Sequence, residues 1–134
     1  MSVRDIDHGA SALTRRLEKL SRSGVRVTVG IHEDTGAEQH PSGDSIAAVA
    51  AALEFGTSEQ RPEAFVRGAV DEQRGALGAE LARAGADVLE GTPVSAAFGV
   101  VGAQIATSMQ SRVSTATGTT RASIEARVDG ERVS

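Results

Sequence analysis

The sequence predicts an α+β domain, a small antiparallel sheet packed with about four helices and a long loop after the first strand. Three observations carry this. Residues 25–31 and 122–128 alternate apolar and polar with a period of two. The stretches between and before them repeat their apolar residues at three and four. Gly, Pro and Ser clusters separate these stretches at Ser23-Gly24, Pro41 to Gly43, Gly56, Pro62 and Gly91. At 134 residues the chain has the length of one domain, read as 1–134 with flexible ends at 1–8 and 129–134.

The first predicted element is an amphipathic helix from about Gly9 to Arg22, with Leu13, Leu17 and Leu20 on one side and Arg15, Arg16, Glu18 and Lys19 on the other. Ser23-Gly24 stops it. Val25, Val27, Val29 and Ile31 then form the buried face of a strand. His32 to Gly43 read as an irregular loop, free to order on docking. Asp44 or Ser42 caps a short helix lined by Ile46, Val49, Ala50 and Leu53, which ends at Gly56 as a left-handed cap.

After Pro62, Val66, Val70, Leu77, Leu81 and Val88 mark one face of a long helix running to Glu90. Gly68, Gly75, Gly78 and Gly85 each weaken it by roughly 1 kcal/mol relative to Ala, so it needs packing against a neighbour. Gly91 closes it. Thr92 as N-cap and Pro93 at the first position open the next helix, with Val94, Phe98, Val101, Ile105 and Met109 inward. Ser114 to Thr120 read as a linker, and Ala122, Ile124, Ala126 and Val128 as the inner face of a strand pairing with 25–31. Two strands make a marginal sheet, which calls for helices or a neighbouring subunit to complete it.

Composition narrows the function. Three Phe, no Trp and no Tyr leave little material for stacking nucleic-acid bases or sugars. A net charge of −4 is the wrong sign for gripping phosphates. The absence of Cys removes disulfides, thiolate metal sites and Cys nucleophiles, and no apolar run is long enough for a membrane span. These features point to a product made in the cytoplasm, with no membrane partner.

No nucleophile elbow, phosphate loop or zinc-binding helix motif occurs, so neither catalysis nor a cofactor is expected. His8, His32 and His40 lack ligand spacing and are expected as surface residues on loops. The neighbours Glu33/Asp34 and Asp71/Glu72 are expected to be solvated. Charge is polarised along the chain. Residues 1–26 carry a net +3 and residues 27–72 a net −7, a polarity that suits head-to-tail contact between subunits or a one-sided acidic surface.

Four pieces of the chain, in order, resemble the phage tail-completion or neck proteins of long-tailed phages, often called minor tail components. They are the strand end Val29-Gly30-Ile31; the Ala-rich helix leading into Glu54-Phe55-Gly56-Thr57; Arg61-Pro62 followed by Phe65-Val66-Arg67; and Thr117-Gly118 leading into an alternating strand. The third departs from the family pattern, since Glu63-Ala64 splits its two halves.

The resemblance implies a virion protein of the neck that assembles as a homo-oligomeric ring. Its partners would be the head connector or stopper and the tail terminator or tail tube, with DNA passing through the lumen. Phe55 and Phe65 would be core anchors, and Arg61 and Arg67 would bridge to an acidic neighbour. Glu33, Asp34 and Glu38 would line the lumen and repel the duplex. A small regulatory or adaptor module, monomeric or dimeric, is the alternative reading.

Overall fold

In the computed structural model the described residues are 14–15, 18, 24–114 and 118–133. The elements are β1 (Val27–Gly30), α1 (Glu33–Gly36), α2 (Ile46–Phe55), α3 (Phe65–Leu89), α4 (Val94–Arg112), α5 (Gly118–Ala122), β2 (Glu125–Val128) and β3 (Glu131–Arg132). This is a small α+β fold. Most of the helix expected at 9–22 lies outside the described residues; Thr14, Arg15 and Glu18 are helical.

The antiparallel pairing of the two expected strands is present, with Val27 opposite Val128 and Val29 opposite Ala126. These four residues share one sheet face, and α4 lies across it. The approach is close. A Cβ on Gly102 would stand 2.8 Å from Ala126 Cβ and 3.0 Å from Val27 Cγ1. Glycine at this position lets the helix backbone settle onto the sheet.

The sheet has a third strand where a flexible tail was expected. Asp129 and Gly130 both take positive φ, 51° and 85°, and the chain reverses to pair Val128 with Glu131. Asp-Gly with two positive φ values is the signature of a tight hairpin turn, so the signal was present in the sequence. The upstream boundary also moves. Residues 118–122 form the one-turn α5, and the strand begins at Glu125 instead of Ala122. Ser123 Oγ donates to Thr119 O at 2.8 Å and fixes that turn.

α3 and α4 form an antiparallel pair below the sheet. α3 buries Phe65, Ala69, Ala84 and Val88. Of the expected stripe, Val88 is buried and Val66 and Leu77 pack partly buried against the core, whereas Val70 and Leu81 are exposed and Phe65, Ala69 and Ala84 are buried instead. Alanines carry little hydrophobic weight in a periodicity count, yet their small size permits the closest helix approach. α4 buries Val101 and Met109 as expected, with Ala97 and Ala106 beside them. Its N-cap is Pro93 instead of Thr92, a shift of one residue.

The core divides in two along this pair. One cluster joins α2, the start of α3 and the end of α4 through Leu53, Phe65, Ala69, Met109, Val113 and Ile124. The other holds Ala84, Val88, Ala97 and Val101 at the far end.

The 32–43 stretch is more ordered than expected. α1 occupies Glu33–Gly36, Gln39 bridges to Ser45, and Ile46 N donates to Glu38 O at 2.9 Å. Gly36 is buried where a Cβ would meet Ala47 Cβ at 3.2 Å. The cap of α2 is Ser45, whose hydroxyl accepts from Ala48 N at 3.1 Å, in place of Asp44 or Ser42.

Candidate functional site

Two of the four resembling pieces, Glu54-Phe55-Gly56-Thr57 and Arg61-Pro62 with Phe65-Val66-Arg67, meet at one joint, where α2 ends and α3 begins. α3 starts without a local cap. Ala64 holds a left-handed conformation, φ 47° and ψ 44°, and has no side chain that could accept a hydrogen bond. The cap comes from the preceding helix. The Glu54 carboxylate, only 6% exposed, accepts Val66 N at 2.8 Å and Arg67 N at 3.1 Å. An anion at a helix N-terminus is favoured by both the free N–H groups and the helix dipole.

Arg67 completes the arrangement. Its Nε donates to Glu54 Oε1 at 2.9 Å and a terminal nitrogen donates to Glu54 O at 2.9 Å. Its guanidinium carbon lies 5.6 Å from the centroid of the Phe55 ring, within cation–π range. The salt bridge expected with an acidic neighbour is thus made inside the chain. Arg61 is exposed and makes no ion pair among the described residues.

Gly56 and Thr57 turn the chain between the helices. Gly56 has φ 78° and ψ 173°, a positive φ as expected but not the left-handed helical conformation. A Cβ there would stand 2.8 Å from Pro62 Cδ and 2.9 Å from Gln60 O. Thr57 Oγ1 accepts from Glu59 N and Gln60 N at 3.2 and 3.1 Å, closing a tight hydroxyl-anchored turn. Pro62 packs over Gly56, and Glu63 N donates back to Leu53 O at 2.6 Å.

The two aromatic anchors part company. Phe65 is 2% exposed and sits in the core as expected. Phe55 is 70% exposed, a correction to its expected place in the core. It ends a stripe on the outer face of α2 that also holds Ala47 and Ala51, all exposed. Beside it runs an apolar groove of about 540 Å³ whose walls include Ile31, Ala50, Phe65 and Val66. Glu54 is the one polar residue of α2, and it is buried. The helix therefore shows solvent only alanine, valine and Phe55. A helix apolar all round is normally enclosed, and that signal was legible in Ile46–Phe55.

A second polar cluster occupies the other face of the sheet. Asp34 accepts two hydrogen bonds from Arg127, at 2.8 and 3.0 Å, tying α1 to β2. The Arg127 hydrogen bond holds the Asp34 carboxyl below the usual range, and its bonds to Glu125 and Asp34 raise Arg127. Asp34 is thus paired while remaining exposed to solvent as expected. Glu33 and Glu38 are exposed as expected. Glu72 is likewise paired, to Arg112 at 2.9 Å and Ser108 at 3.1 Å, and these bonds lower its carboxyl.

His32 is half-buried in that second cluster and not a surface residue. Its Nε2 lies 2.8 Å from Thr28 Oγ1, while Nδ1 is 3.6 Å from Glu125 Oε1. Hydroxyl, imidazole and carboxylate stand in the order of a proton relay. Their spacing does not complete one, because 3.6 Å exceeds hydrogen-bond reach and Glu125 is held by Arg127 and Arg132. Among the described residues no group of His, Asp and Glu is placed to hold a metal ion, and no helix is long and apolar enough to cross a membrane.

No family model matches the sequence, and no curated protein or solved structure is detectably similar to it.

Proposed function

We propose that the chain is a structural, non-enzymatic virion component of a phage neck, made in the host cytoplasm and acting in tail completion and head–tail joining. It assembles with copies of itself as a ring through which DNA passes, between a head connector or stopper and a tail terminator or tail tube. The observation that carries the reading is the outer face of α2. Ala47, Ala51 and the 70% exposed Phe55 form an apolar surface on a chain otherwise well supplied with charge. Such a surface fits an interface left open by the single chain.

The Glu54–Arg67 joint supports the same reading from the other side. It fixes the angle between α2 and α3 and so presents Phe55 and the groove on a firm base. The resembling motif then has a physical role: Glu54 caps, Gly56 and Thr57 turn, Pro62 packs and Phe65 anchors. For the lumen, Glu33 and Glu38 supply the exposed negative charge, while Asp34 is compensated by Arg127.

The test is the mass of the purified protein by light scattering over a wide concentration range, alone and mixed with the products encoded beside it. Rings, or a complex with a connector or terminator protein, are the expected result. A stable monomer or dimer that ignores those neighbours would shift the reading to a regulatory or adaptor module.

A further inference from the structure

The ring reading leaves open what covers the outer face of α2, and the chain itself contains a segment of matching shape and charge. We propose that the segment 9–22 of a neighbouring copy docks there, placing Leu13, Leu17 and Leu20 over Ala47, Ala51 and Phe55. The contact is head-to-tail, and a head-to-tail contact closes into a ring when its rotation permits. This inference rests on the proposed ring.

Dimensions fit. Along a helix axis Leu13 to Leu20 covers about 10 Å and Ala47 to Phe55 about 12 Å. The alanines permit close approach of a second helix, and Phe55 with Ile31, Phe65 and Val66 forms the walls that larger side chains fill. Leucines at i, i+4 and i+7 are the usual anchors of a helix in such a groove. Arg15 and Glu18 are helical and exposed, on the side that the sequence sets opposite the leucines.

Charge fits as well. Segment 9–22 carries Arg15, Arg16, Lys19 and Arg22 against Glu18 alone, whereas the groove lining holds only the mutually paired Glu54 and Arg67 and the loops flanking α2 carry the exposed acids Glu38, Asp44 and Glu59. Opposite signs favour this pairing and steer it.

Docking within one chain is disfavoured by the surface in between. The segment joins the fold at Gly24, and the groove begins beyond the other end of β1, at Ile31. The apolar face of β1 is taken by α4, where Gly102 packs against Val27 and Val29. The opposite face carries Thr28, His32 and Arg127, beside a hollow those residues help to line. A leucine stripe folded back along β1 would meet that polar surface, which cannot bury it.

The chain has no Cys, so introduced cysteines report without background. The experiment uses the full chain, Leu17→Arg and Ala51→Arg, with circular dichroism to establish that each folds and light scattering to give its mass. It also mixes separate Leu17→Cys and Ala51→Cys chains under mild oxidation, with Leu17→Cys plus Glu90→Cys as the control. The expected result is an oligomeric full chain, both Arg variants reduced to the 13.8 kDa of one chain, and a disulfide-linked pair in the first mixture only. Oligomers that persist in both Arg variants, with no cross-link, overturn the inference and leave the ring reading standing. A third sample, the Leu17→Cys, Ala51→Cys double variant, tests the alternative: a cross-link formed within its monomer and absent from the mixture overturns the inference in favour of docking inside one chain. A full chain that is monomeric at every concentration overturns the ring reading and this inference together.

Discussion

Glu54 ends one helix and caps the next, and Arg67, whose backbone N–H it accepts at 3.1 Å, returns its own guanidinium to the same carboxylate at 2.9 Å. The two residues close a loop of interactions across thirteen positions. Backbone donors, a buried acid and a surface cation are satisfied together. Ala64 offers no side-chain cap, so the start of α3 depends on this acid.

Replacing Glu54 by Ala is therefore expected to destabilise the fold by about 2–3 kcal/mol, the sum of a lost cap and a lost charge-assisted bond. Glu54→Gln retains one acceptor oxygen and is expected to lose about half as much. Thermal unfolding followed by circular dichroism gives both values. Equal stability of all three proteins would show that the start of α3 does not depend on the Glu54 carboxylate.

Two glycines should respond in opposite directions to the same substitution. Gly56→Ala forces a Cβ into a positive φ and against Pro62, at an expected cost above about 1 kcal/mol. Gly75→Ala lies in the middle of α3 with open space around it and is expected to gain roughly 0.5–1 kcal/mol. Denaturant midpoints of the two variants test the contrast, which fails if both move the same way.

The two phenylalanines should separate folding from assembly. Phe65→Ala empties a core position and is expected to cost about 3–5 kcal/mol. Phe55→Ala removes an exposed ring, so the change in monomer stability should stay within about 1 kcal/mol. Its expected effect is on self-association, read as mass by light scattering. Loss of fold in Phe55→Ala would place that ring in the core after all.

Stability should fall in acid through two named pairs. The carboxyls of Asp34 and Glu72 are held below their ordinary values by Arg127 and Arg112. A lowered folded-state value means stabilisation that is complete above the unfolded value and is lost as pH falls through the folded one. The loss is expected below about pH 4. In the Asp34→Asn, Glu72→Gln double variant the drop in melting temperature between pH 6 and pH 3 should be smaller than in the parent. A drop of the same size would assign acid sensitivity to other groups.

Charge reversal on the proposed lumen is a test in the particle. Glu33→Lys with Glu38→Lys is expected to leave particle number unchanged and to lower DNA delivery, measured as infectivity per particle. Unchanged infectivity removes these residues from the lumen.

What the residue order determined by itself was the two strands of the central pair and the three helices between 46 and 112. Period-two alternation at 25–31 and 122–128 marks two strands with one apolar face each, and the structure pairs them antiparallel as expected. Gly91 was legible because breakers act locally. Tertiary structure decided the rest, wherever a residue's role depends on a partner distant in sequence. The inward face of α3 turned on Ala69 and Ala84, which no hydrophobicity count favours but close packing does. Glu54 and Phe55 adjoin in the chain, yet one is buried and the other exposed, because α3 brings its unpaired N–H groups to the first and leaves the second beyond the edge of the core. That inversion, acid inward and aromatic outward, arises from satisfying backbone hydrogen bonds at a helix start, a demand that exists only after the two helices have met.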